Sequence, residues 1–374
     1  EHEKTNDHYL ELIKRQAVVS PESIAIESPE GKLRYRELIS ESLALAAYFK
    51  DQWCDKQYII LHQPKSISYV RLMLATLISN KAFIPADSDY NLSRTLACIE
   101  CLNTDEVLII SDHHHLTPIK LIQPKSIDFS PYLSRHIMPD CSPDRISYAI
   151  CTSGSTGKPK AVKISDGALA NLLCFFKHEL NMSTHDRFLS ISSVAFDISI
   201  LEILLPIASG ATLILPDRRH YKDPMYLAST LEEFRVNFVQ LTPTMLKHLI
   251  KHIDKITLSQ LTIMCGGESL PESIGASAAL RCKSFLNLYG PAETTIWSTF
   301  SKVNPSKDIT IGKPISNTYC VVLDCQNKPL PKGAIGNLCI GGVGVSTGYV
   351  DSMLDSNKFF NMTINNNEMK FYST

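Results

Sequence analysis

Short apolar runs alternate along the chain with longer amphipathic stretches. Runs such as YIILH at 58–62 and EVLII at 106–110 are rich in branched apolar side chains, which favours buried strands. Between them, SYVRLMLATLI at 68–78 is long enough to form a helix. This alternation predicts an α/β fold in which parallel strands lie buried under helices.

The pattern of residue types along the chain changes at two places. A polar, Pro-rich stretch at 120–144 separates the first set of strands and helices from a second set, and Gly-punctuated strands begin near residue 310. We therefore predict two packed α/β subdomains with mostly parallel sheets, at about 1–189 and 190–309. A smaller β-rich subdomain at 310–374 is expected to form a distorted barrel.

Composition excludes several classes of partner. The chain has 374 residues, of which 44% are hydrophobic, and a formal net charge of −1, so no overall field would gather nucleic acid or an anionic membrane. Its apolar runs stay short of the roughly 18 residues that a membrane span needs. Eleven cysteines without framework spacing favour reduced thiols. We expect a cytoplasmic protein with neither nucleic-acid nor membrane partners.

The strongest chemical signal is the segment CTSGSTGKPK at 151–160, directly after the strand-like ISYAI. Its glycines permit close backbone approach, while its hydroxyl groups and lysines supply donors and positive charge, as a polyphosphate requires. It is not a Walker loop, because Pro159 follows Lys158 and discourages a helix there. A flexible surface loop is the alternative, and the convergence of donors after a buried strand argues against it.

Six ordered motifs, including this loop, resemble those of the adenylation domains of nonribosomal peptide synthetases, which are relatives of acyl-CoA synthetases and firefly luciferase. The resemblance covers nearly the whole chain. In order, the motifs are LRYREL at 33–38, LISNKAFIPAD at 77–87, the loop at 151–160, FDIS at 196–199, NLYGPAE at 287–293 and GNLCIGGVGVSTGY at 336–349.

The resemblance implies ATP and Mg²⁺ as cofactors. Thr156, Lys158 and Glu293 would be catalytic, and Glu293 would hold the metal ion. Taken singly, Glu293 could also be a solvated helix start and Tyr289 a core residue. The implied ATP- and AMP-binding residues are Thr152, Ser153, Gly154, Ser155, Thr156, Gly157, Lys158, Gly266, Gly267, Glu268, Asn287, Tyr289, Gly290 and Thr294.

Asp197 is the informative residue for the substrate. It stands in an otherwise apolar stretch, SVAFDISI, where an unpaired carboxylate is costly to bury and a substrate ammonium would be its partner. The alternative is an N-cap of the helix that follows. In the family that the chain resembles, an Asp here marks α-amino acid substrates. The implied substrate-binding residues are Asp197, Ile198, Leu201, Gln240, Met264, Gly266, Leu288, Ile296 and Trp297.

This pocket predicts a small substrate, because most of its members are large and Trp297 alone can fill the space of a side chain. The set is similar to family pockets that select glycine, so we expect glycine, with alanine second. The implied product is an aminoacyl-adenylate plus pyrophosphate. In the family the acyl group then passes to a phosphopantetheine thiol on a peptidyl carrier protein, with neighbouring synthetase domains nearby.

Two alternatives stay open at this point. One is an acyl-CoA or aryl-acid ligase of the same superfamily. The other is a noncatalytic nucleotide-binding module, because Ala292 replaces a Thr that is common in the fifth motif. The family also continues beyond the position of Thr374 with a small C-terminal subdomain that carries a catalytic lysine. That subdomain is missing here, so we expect the isolated chain to be weakly active or inactive.

Overall fold

A computed structural model gives the fold of most of the chain. It describes residues 8–89, 92–113, 117–135, 137–152, 159–217, 220, 223–253, 255–364 and 367–374. The described α-helices are α1 (Tyr9–Val19), α2 (Tyr35–Gln52), α3 (Ile67–Ile78), α4 (Ser93–Cys98), α5 (Asp166–Leu180), α6 (Ile198–Ser209), α7 (Pro224–Glu233), α8 (Pro243–Leu249), α9 (Lys255–Gln260) and α10 (Glu272–Ala279).

The described strands follow the predicted alternation with the helices. They are β1 (Ile24–Ser28), β2 (Gly31–Arg34), β3 (Tyr58–His62), β4 (Ala82–Ala86), β5 (Val107–Ser111), β6 (Lys120–Ile122), β7 (Ile146–Thr152), β8 (Lys160–Ser165), β9 (Arg187–Leu189), β10 (Thr212–Ile214), β11 (Phe238–Leu241), β12 (Thr262–Cys265), β13 (Ser284–Tyr289), β14 (Thr299–Lys302), β15 (Lys313–Pro314), β16 (Thr318–Leu323), β17 (Asn337–Gly342), β18 (Gly348–Tyr349), β19 (Phe359–Ile364) and β20 (Asn367–Ser373).

Two large sheets form the body of the molecule. One has the order β18-β8-β7-β4-β3-β5-β6 and is parallel from β7 to β6. The other has the order β15-β14-β13-β12-β11-β9-β10-β1-β2 and is parallel from β13 to β1. Both sheets carry antiparallel strands at an edge. The mixed α/β architecture with mostly parallel sheets is confirmed.

The central strands are continuous apolar runs because helices cover both faces. All five residues of β3, β4 and β5 are buried, as is typical of parallel strands between two helix layers. Helix α3 begins where the Ser66 side chain accepts a hydrogen bond from the Tyr69 backbone N–H, at 3.1 Å. Ten of its twelve residues are buried, so it lies in the core, where it packs against α2.

The C-terminal β-rich part differs from the prediction in one respect. Its four antiparallel strands have the order β16-β17-β20-β19. Strands β16 and β19 lie at opposite edges and do not pair in the described part of the chain, so the sheet is open. The expected distorted barrel is therefore wrong. Gly-punctuated strands indicate short antiparallel pairs, but their spacing does not say whether the edges meet.

Candidate active site

The site lies at the carboxyl ends of three neighbouring parallel strands. Strand β11 pairs with β12, with Gln240 opposite Met264, and β12 pairs with β13, with Cys265 opposite Asn287. The residues that follow these strands therefore come together at one edge of the nine-stranded sheet, which is the edge where open α/β sheets bind ligands. Gly266, directly after β12, is one of them.

Gly266 and Trp297 touch at this edge. A Cβ atom built on Gly266 would lie 2.6 Å from Cη2 of Trp297, 2.8 Å from its Cζ3 and 2.6 Å from the carbonyl oxygen of Leu288. These separations are far inside van der Waals contact, so the indole occupies the space that a side chain at 266 would need. Trp297 is 1% exposed.

The backbone before Trp297 is strained. Thr295 and Ile296 have φ of 62° and 64°, which β-branched residues rarely adopt. The Thr295 hydroxyl donates to the carbonyl of Gly344 at 2.7 Å, which helps to hold this conformation. Gly290 permits the close approach, because a Cβ there would lie 2.5 Å from the carbonyl oxygen of Ile296. Such strain clusters at ligand sites, where it fixes a side chain in place.

Asp197 occupies the N-cap position of α6, but its side chain makes no capping hydrogen bond. The N-cap alternative therefore does not explain this carboxylate. Burial raises the pKa of Asp197 to about 6, and the nearby charge of Glu293 adds to the effect. The described residues supply no cation to pair with it. The half-buried carboxylate is thus ionised at neutral pH and open to a ligand cation.

Glu293 lies in a 3₁₀ turn, Ala292–Thr294, and is 7% exposed. Its Oε1 accepts a hydrogen bond from the hydroxyl of Tyr349 at 2.8 Å. Lys160 donates to the same hydroxyl at 3.2 Å, and its ammonium lies 4.5 Å from the centre of the Tyr349 ring. Since Lys160 follows Lys158 by two residues, the end of the predicted phosphate loop lies close to Glu293.

The loop itself is only partly described. Thr152 ends β7, and its hydroxyl donates to the carbonyl of Lys160 at 3.4 Å. The other loop residues predicted to bind ATP, at 153–158, lie outside the described residues. Tyr148 lies on β7, the strand before the loop, and burial and then the charge of Asp197 raise its pKa. Asp197 is therefore close to the strand that leads into the loop.

Several residues predicted to bind ATP or AMP lie on and after β12 and β13. Gly267 has a φ of 85°, a conformation natural to glycine. Glu268 accepts hydrogen bonds from the backbone N–H and the hydroxyl of Thr244, at 3.1 and 2.6 Å. Asn287 donates to the carbonyl of Thr310 at 2.9 Å. Tyr289, the last residue of β13, is half-buried.

Thr294, also predicted to bind the nucleotide, is 2% exposed. Its hydroxyl lies 2.6 Å from that of Ser298 and 3.2 Å from the carbonyl oxygen of Pro291. This hydroxyl is already engaged within the turn, so a contact with phosphate would require it to exchange partners. The role of Thr294 stays a prediction.

Glu293 suits magnesium bound together with a nucleotide. Among the described residues, no three His, Cys, Asp or Glu side chains cluster so as to hold a metal ion by themselves. Mg²⁺ is usually held by one or two carboxylates plus substrate phosphates rather than by a protein cage. A single buried carboxylate near Lys160, the last residue of the predicted phosphate loop, fits that pattern.

Residues 13–350 match the family model described as AMP-binding enzyme. The chain belongs to the AMP-binding enzyme family. Over 351 residues it is 34% identical to the dimodular nonribosomal peptide synthase of Bacillus subtilis (strain 168), which covers 91% of the chain and 15% of that protein. Over 352 residues it is 30% identical to tyrocidine synthase 1 of Brevibacillus parabrevis, covering 91% and 32%. The chain thus spans about a third or less of these relatives.

Solved structures agree with this family assignment. The holo form of AB3403, a four-domain nonribosomal peptide synthetase bound to AMP and glycine, superposes with a TM-score of 0.86 at 25% identity, covering 98% of the chain and 28% of that protein. The Klebsiella oxytoca NpsA N-terminal subdomain in complex with 3-hydroxybenzoyl-AMSN has a TM-score of 0.85 at 22% identity, covering 98% and 95%, which shows the shared fold. The predicted identity as a synthetase adenylation domain, an enzyme of the adenylate-forming superfamily, is confirmed.

Sequence reasoning misses three polar residues of this AMP-binding enzyme. Glu202 carries a visible signal, since it is the only charged residue in the helix ISILEILLPIAS. Lys160 and Tyr349 lie inside the motifs, but nothing in their spacing indicates that they reach Glu293.

Within the described part of the chain, every helix is too short or too polar to cross a bilayer.

Proposed function

We propose that this adenylation domain activates glycine, and alanine less well, by an ATP- and Mg²⁺-dependent reaction. The products are an aminoacyl-adenylate and pyrophosphate. Two features support the proposal, a carboxylate for the substrate ammonium and an indole that limits the space for a substrate side chain.

The preference for an amino acid is supported by Asp197. Its carboxylate is half-buried, its pKa is raised to about 6, and no described residue neutralises it. An α-ammonium group bound there would supply the missing charge and repay the desolvation of the carboxylate. A carboxylic acid without an amino group would leave this charge unpaired, which disfavours the acyl-CoA and aryl-acid ligase alternative.

The preference for glycine is carried by the contact between Gly266 and Trp297. The indole fills the end of the pocket so closely that a Cβ on Gly266 would lie 2.6 Å from it. Met264 and Leu288, also predicted to line the pocket, are buried on the neighbouring strands β12 and β13. Extra methyl groups in a filled pocket typically cost about 1–3 kcal/mol, so larger amino acids bind less well. The AB3403 synthetase, at 25% identity, binds AMP and glycine.

The chemistry needs alignment more than acid or base catalysis. The carboxylate of an amino acid is already ionised at neutral pH. One of its oxygens forms a bond to the α-phosphorus of ATP as the bond from that phosphorus to the bridging oxygen breaks and pyrophosphate leaves. Thr156 and Lys158 would hold the departing phosphates, and Glu293 would hold Mg²⁺, which neutralises phosphate charge when bound.

The proposal extends to the partners of the whole protein. We propose that the aminoacyl group passes to a phosphopantetheine thiol on a peptidyl carrier protein within a nonribosomal peptide synthetase. The curated relatives support this, since they are nonribosomal peptide synthetases several times longer than the chain. We also propose a cytoplasmic location, which is supported by eleven cysteines that are all free of disulfide bonds.

Amino-acid-dependent ATP–pyrophosphate exchange with the full-length protein tests this proposal. We expect glycine to give the fastest exchange among the proteinogenic amino acids, alanine to follow, and acetate and benzoate to give none. Asp197→Asn should reduce glycine exchange at least about thirtyfold, because removing one partner of a desolvated charge pair costs roughly 2–5 kcal/mol. Exchange with acetate or benzoate that Asp197→Asn leaves unchanged would instead identify an acyl or aryl-acid ligase.

A further inference from the structure

The side-chain amide of Gln240 connects Trp297 to helix α6. Its Nε2 donates to the carbonyl of Ile198 and to Oε1 of Glu202, both at 3.2 Å. Its Oε1 accepts from the indole N–H of Trp297 at 2.8 Å. Because the nitrogen of an amide only donates and the oxygen only accepts, the two acceptors on one side fix which atom faces the indole. Gln240 is 1% exposed.

Glu202 is the residue that fixes this orientation most strongly. It lies on α6, is 0% exposed and forms a salt bridge with Lys65, whose Nζ lies 3.4 Å from its Oε2. The Ser190 hydroxyl donates to Oε2 at 2.8 Å, and the Ser192 backbone N–H and hydroxyl donate to Oε2 and Oε1 at 3.0 and 2.5 Å. Every described partner of this carboxylate is a donor. Its oxygens can therefore meet only the N–H₂ side of Gln240.

Trp297 depends on the same arrangement. A buried indole N–H without an acceptor destabilises the fold, because it loses its hydrogen bond to water without gaining another. If the Gln240 amide turned over, its N–H₂ group would face the indole N–H and this hydrogen bond would be lost. The indole would then lose the contact that holds it across the pocket next to Gly266. The size of the pocket therefore depends on a carboxylate that does not itself line it.

We propose that Glu202 is a positioning residue for substrate size, acting through Gln240 to hold Trp297 across the amino-acid pocket. This proposal rests on the proposed function, because it concerns the size limit of the same site. Substitution of Glu202 should change the relative affinities for small and larger aminoacyl-adenylates. It should have a smaller effect on the affinity that all aminoacyl-adenylates share.

Glu202→Gln is the decisive variant. Its side-chain amide places an N–H₂ group opposite the Gln240 N–H₂ group, and two donors repel each other. If the Gln240 amide turns over to avoid this repulsion, its oxygen no longer accepts the hydrogen bond from the indole of Trp297. Binding of glycyl- and alanyl-sulfamoyladenosine, stable mimics of the adenylates, is measured by calorimetry. We expect the ratio of glycyl to alanyl affinity to fall at least about tenfold. Glu27→Gln is the matched control, since Glu27 is also buried and ion-paired, with Arg187, and no partner of Glu27 lines the pocket.

Tryptophan fluorescence reports on the indole without any ligand. The chain has two tryptophans, and a Trp53→Phe background leaves only Trp297. In this background Glu202→Gln should shift the emission of Trp297 to longer wavelength, and Glu27→Gln should not. An unchanged affinity ratio together with unchanged emission would overturn the proposal, as would an equal loss of affinity for both analogues, which indicates a purely structural role.

A second variant covers the case in which Glu202→Gln does not fold. Gln240→Met keeps the side-chain volume but removes the hydrogen bonds to both Glu202 and Trp297. It should therefore lower the ratio of glycyl to alanyl affinity and shift the emission of Trp297 to longer wavelength, as Glu202→Gln does. If it leaves both unchanged, the proposal fails. Failure of the proposed function is distinguishable: the unsubstituted chain would then bind neither analogue, while the emission of Trp297 would still decide whether Glu202 holds the indole.

Discussion

The carboxylate of Asp197 favours ligand binding and disfavours the ligand-free fold. Its pKa is raised to about 6 because burial disfavours the ionised form. At neutral pH the folded chain therefore carries a charge that it stabilises poorly. A ligand ammonium would stabilise this charge. The free energy by which the unpaired carboxylate destabilises the ligand-free fold is therefore recovered when the ligand binds. Stability is often lower at functional sites for this reason.

We expect Asp197→Asn to be more stable than the unsubstituted chain above pH 6. The native carboxyl takes up its proton near pH 6 and the unfolded one near pH 4, so the penalty is present above pH 6 and disappears below about pH 4. A pKa difference of about two units between the folded and unfolded states corresponds to a gain of at most about 3 kcal/mol in the free energy of unfolding of the variant. Thermal denaturation at pH 7.5 and pH 4 measures this difference.

The control is a stable adenylate mimic. Glycyl-sulfamoyladenosine should raise the melting temperature of the unsubstituted chain much more than that of Asp197→Asn. If the variant is the less stable protein at pH 7.5, or if the difference does not change with pH, the carboxylate is not strained in the ligand-free fold.

At the scale of elements, two hydrogen bonds to Glu293 connect the two large sheets beside the site. Tyr349 on β18 is paired with Val162 on β8, in the seven-stranded sheet. Glu293 follows β13 of the nine-stranded sheet, and the two side chains form a 2.8 Å hydrogen bond. The Ser346 backbone N–H adds a second contact, to the carbonyl of Glu293 at 2.9 Å. The predicted metal ligand is thus held from the opposite sheet.

Tyr349→Phe should lower the free energy of unfolding by about 1.5–3 kcal/mol, because it removes a hydrogen bond to a buried carboxylate. It should also weaken binding of Mg²⁺ with ATP, since Glu293 loses one of the groups that hold its carboxylate in place. Denaturant titration and calorimetry measure the two effects. Tyr148→Phe is the matched control: Tyr148 is also 0% exposed, and its hydroxyl has no hydrogen-bond partner among the described residues.

Equal destabilisation by the two substitutions would contradict this interpretation. Removal of an unpaired buried hydroxyl is expected to be neutral or slightly stabilising, so the difference between the variants isolates the hydrogen bond to Glu293.

The elements themselves were largely predictable from the sequence. Runs such as YIILH and EVLII became β3 and β5, because parallel strands covered on both faces carry continuous apolar segments. The pairing of distant elements was not predictable in this way. Strands β1 and β2 extend the sheet that contains β10, although they lie near the start of the chain. Local hydrophobic pattern carries no information about such partners.

The site was predictable to the extent that motifs mark it. Gly266 and Trp297 are in contact, as a small pocket requires. Glu202 and Tyr349 could not be assigned roles from sequence, because each acts through a second side chain from another element. The subdomain boundaries and the roles of the predicted site residues stay predictions.

At the scale of the whole molecule, Asp166 ties the start of the chain to the seven-stranded sheet. It is 0% exposed and accepts hydrogen bonds from the Tyr9 hydroxyl at 2.7 Å, the Ser147 hydroxyl at 2.6 Å and the Arg145 guanidinium at 3.0 Å. Burial alone would raise the pKa of Asp166, but the hydrogen bond with His8 and the charge of Arg145 outweigh burial and lower it.

Asp166→Asn should destabilise the protein by about 3–5 kcal/mol at neutral pH, because Arg145 and the hydroxyl donors lose a buried anion. Since the pKa of Asp166 is lowered, its stabilising effect is complete above about pH 4 and is lost as the pH falls further. The difference between the two proteins should therefore shrink towards pH 3. Urea titrations at pH 7 and pH 3 measure it.

The exposed neighbour Asp144 supplies the control, and Asp144→Asn should change stability by less than about 0.5 kcal/mol at either pH. A small loss for Asp166→Asn at neutral pH would mean that the N-terminal helix α1 is held by its apolar contacts alone.

The position of β1 in the nine-stranded sheet has a consequence for synthesis on the ribosome. Ile26 pairs with Leu213, about 190 residues further along the nascent chain. β1 can pair with β2 at once, but at a translation rate of about 5–20 residues per second it waits roughly 10–40 s before β10, its other neighbour, has been made. During that interval the edge of β1 that later pairs with β10 has no strand beside it, so the growing polypeptide exposes an unpaired edge to which chaperones can bind.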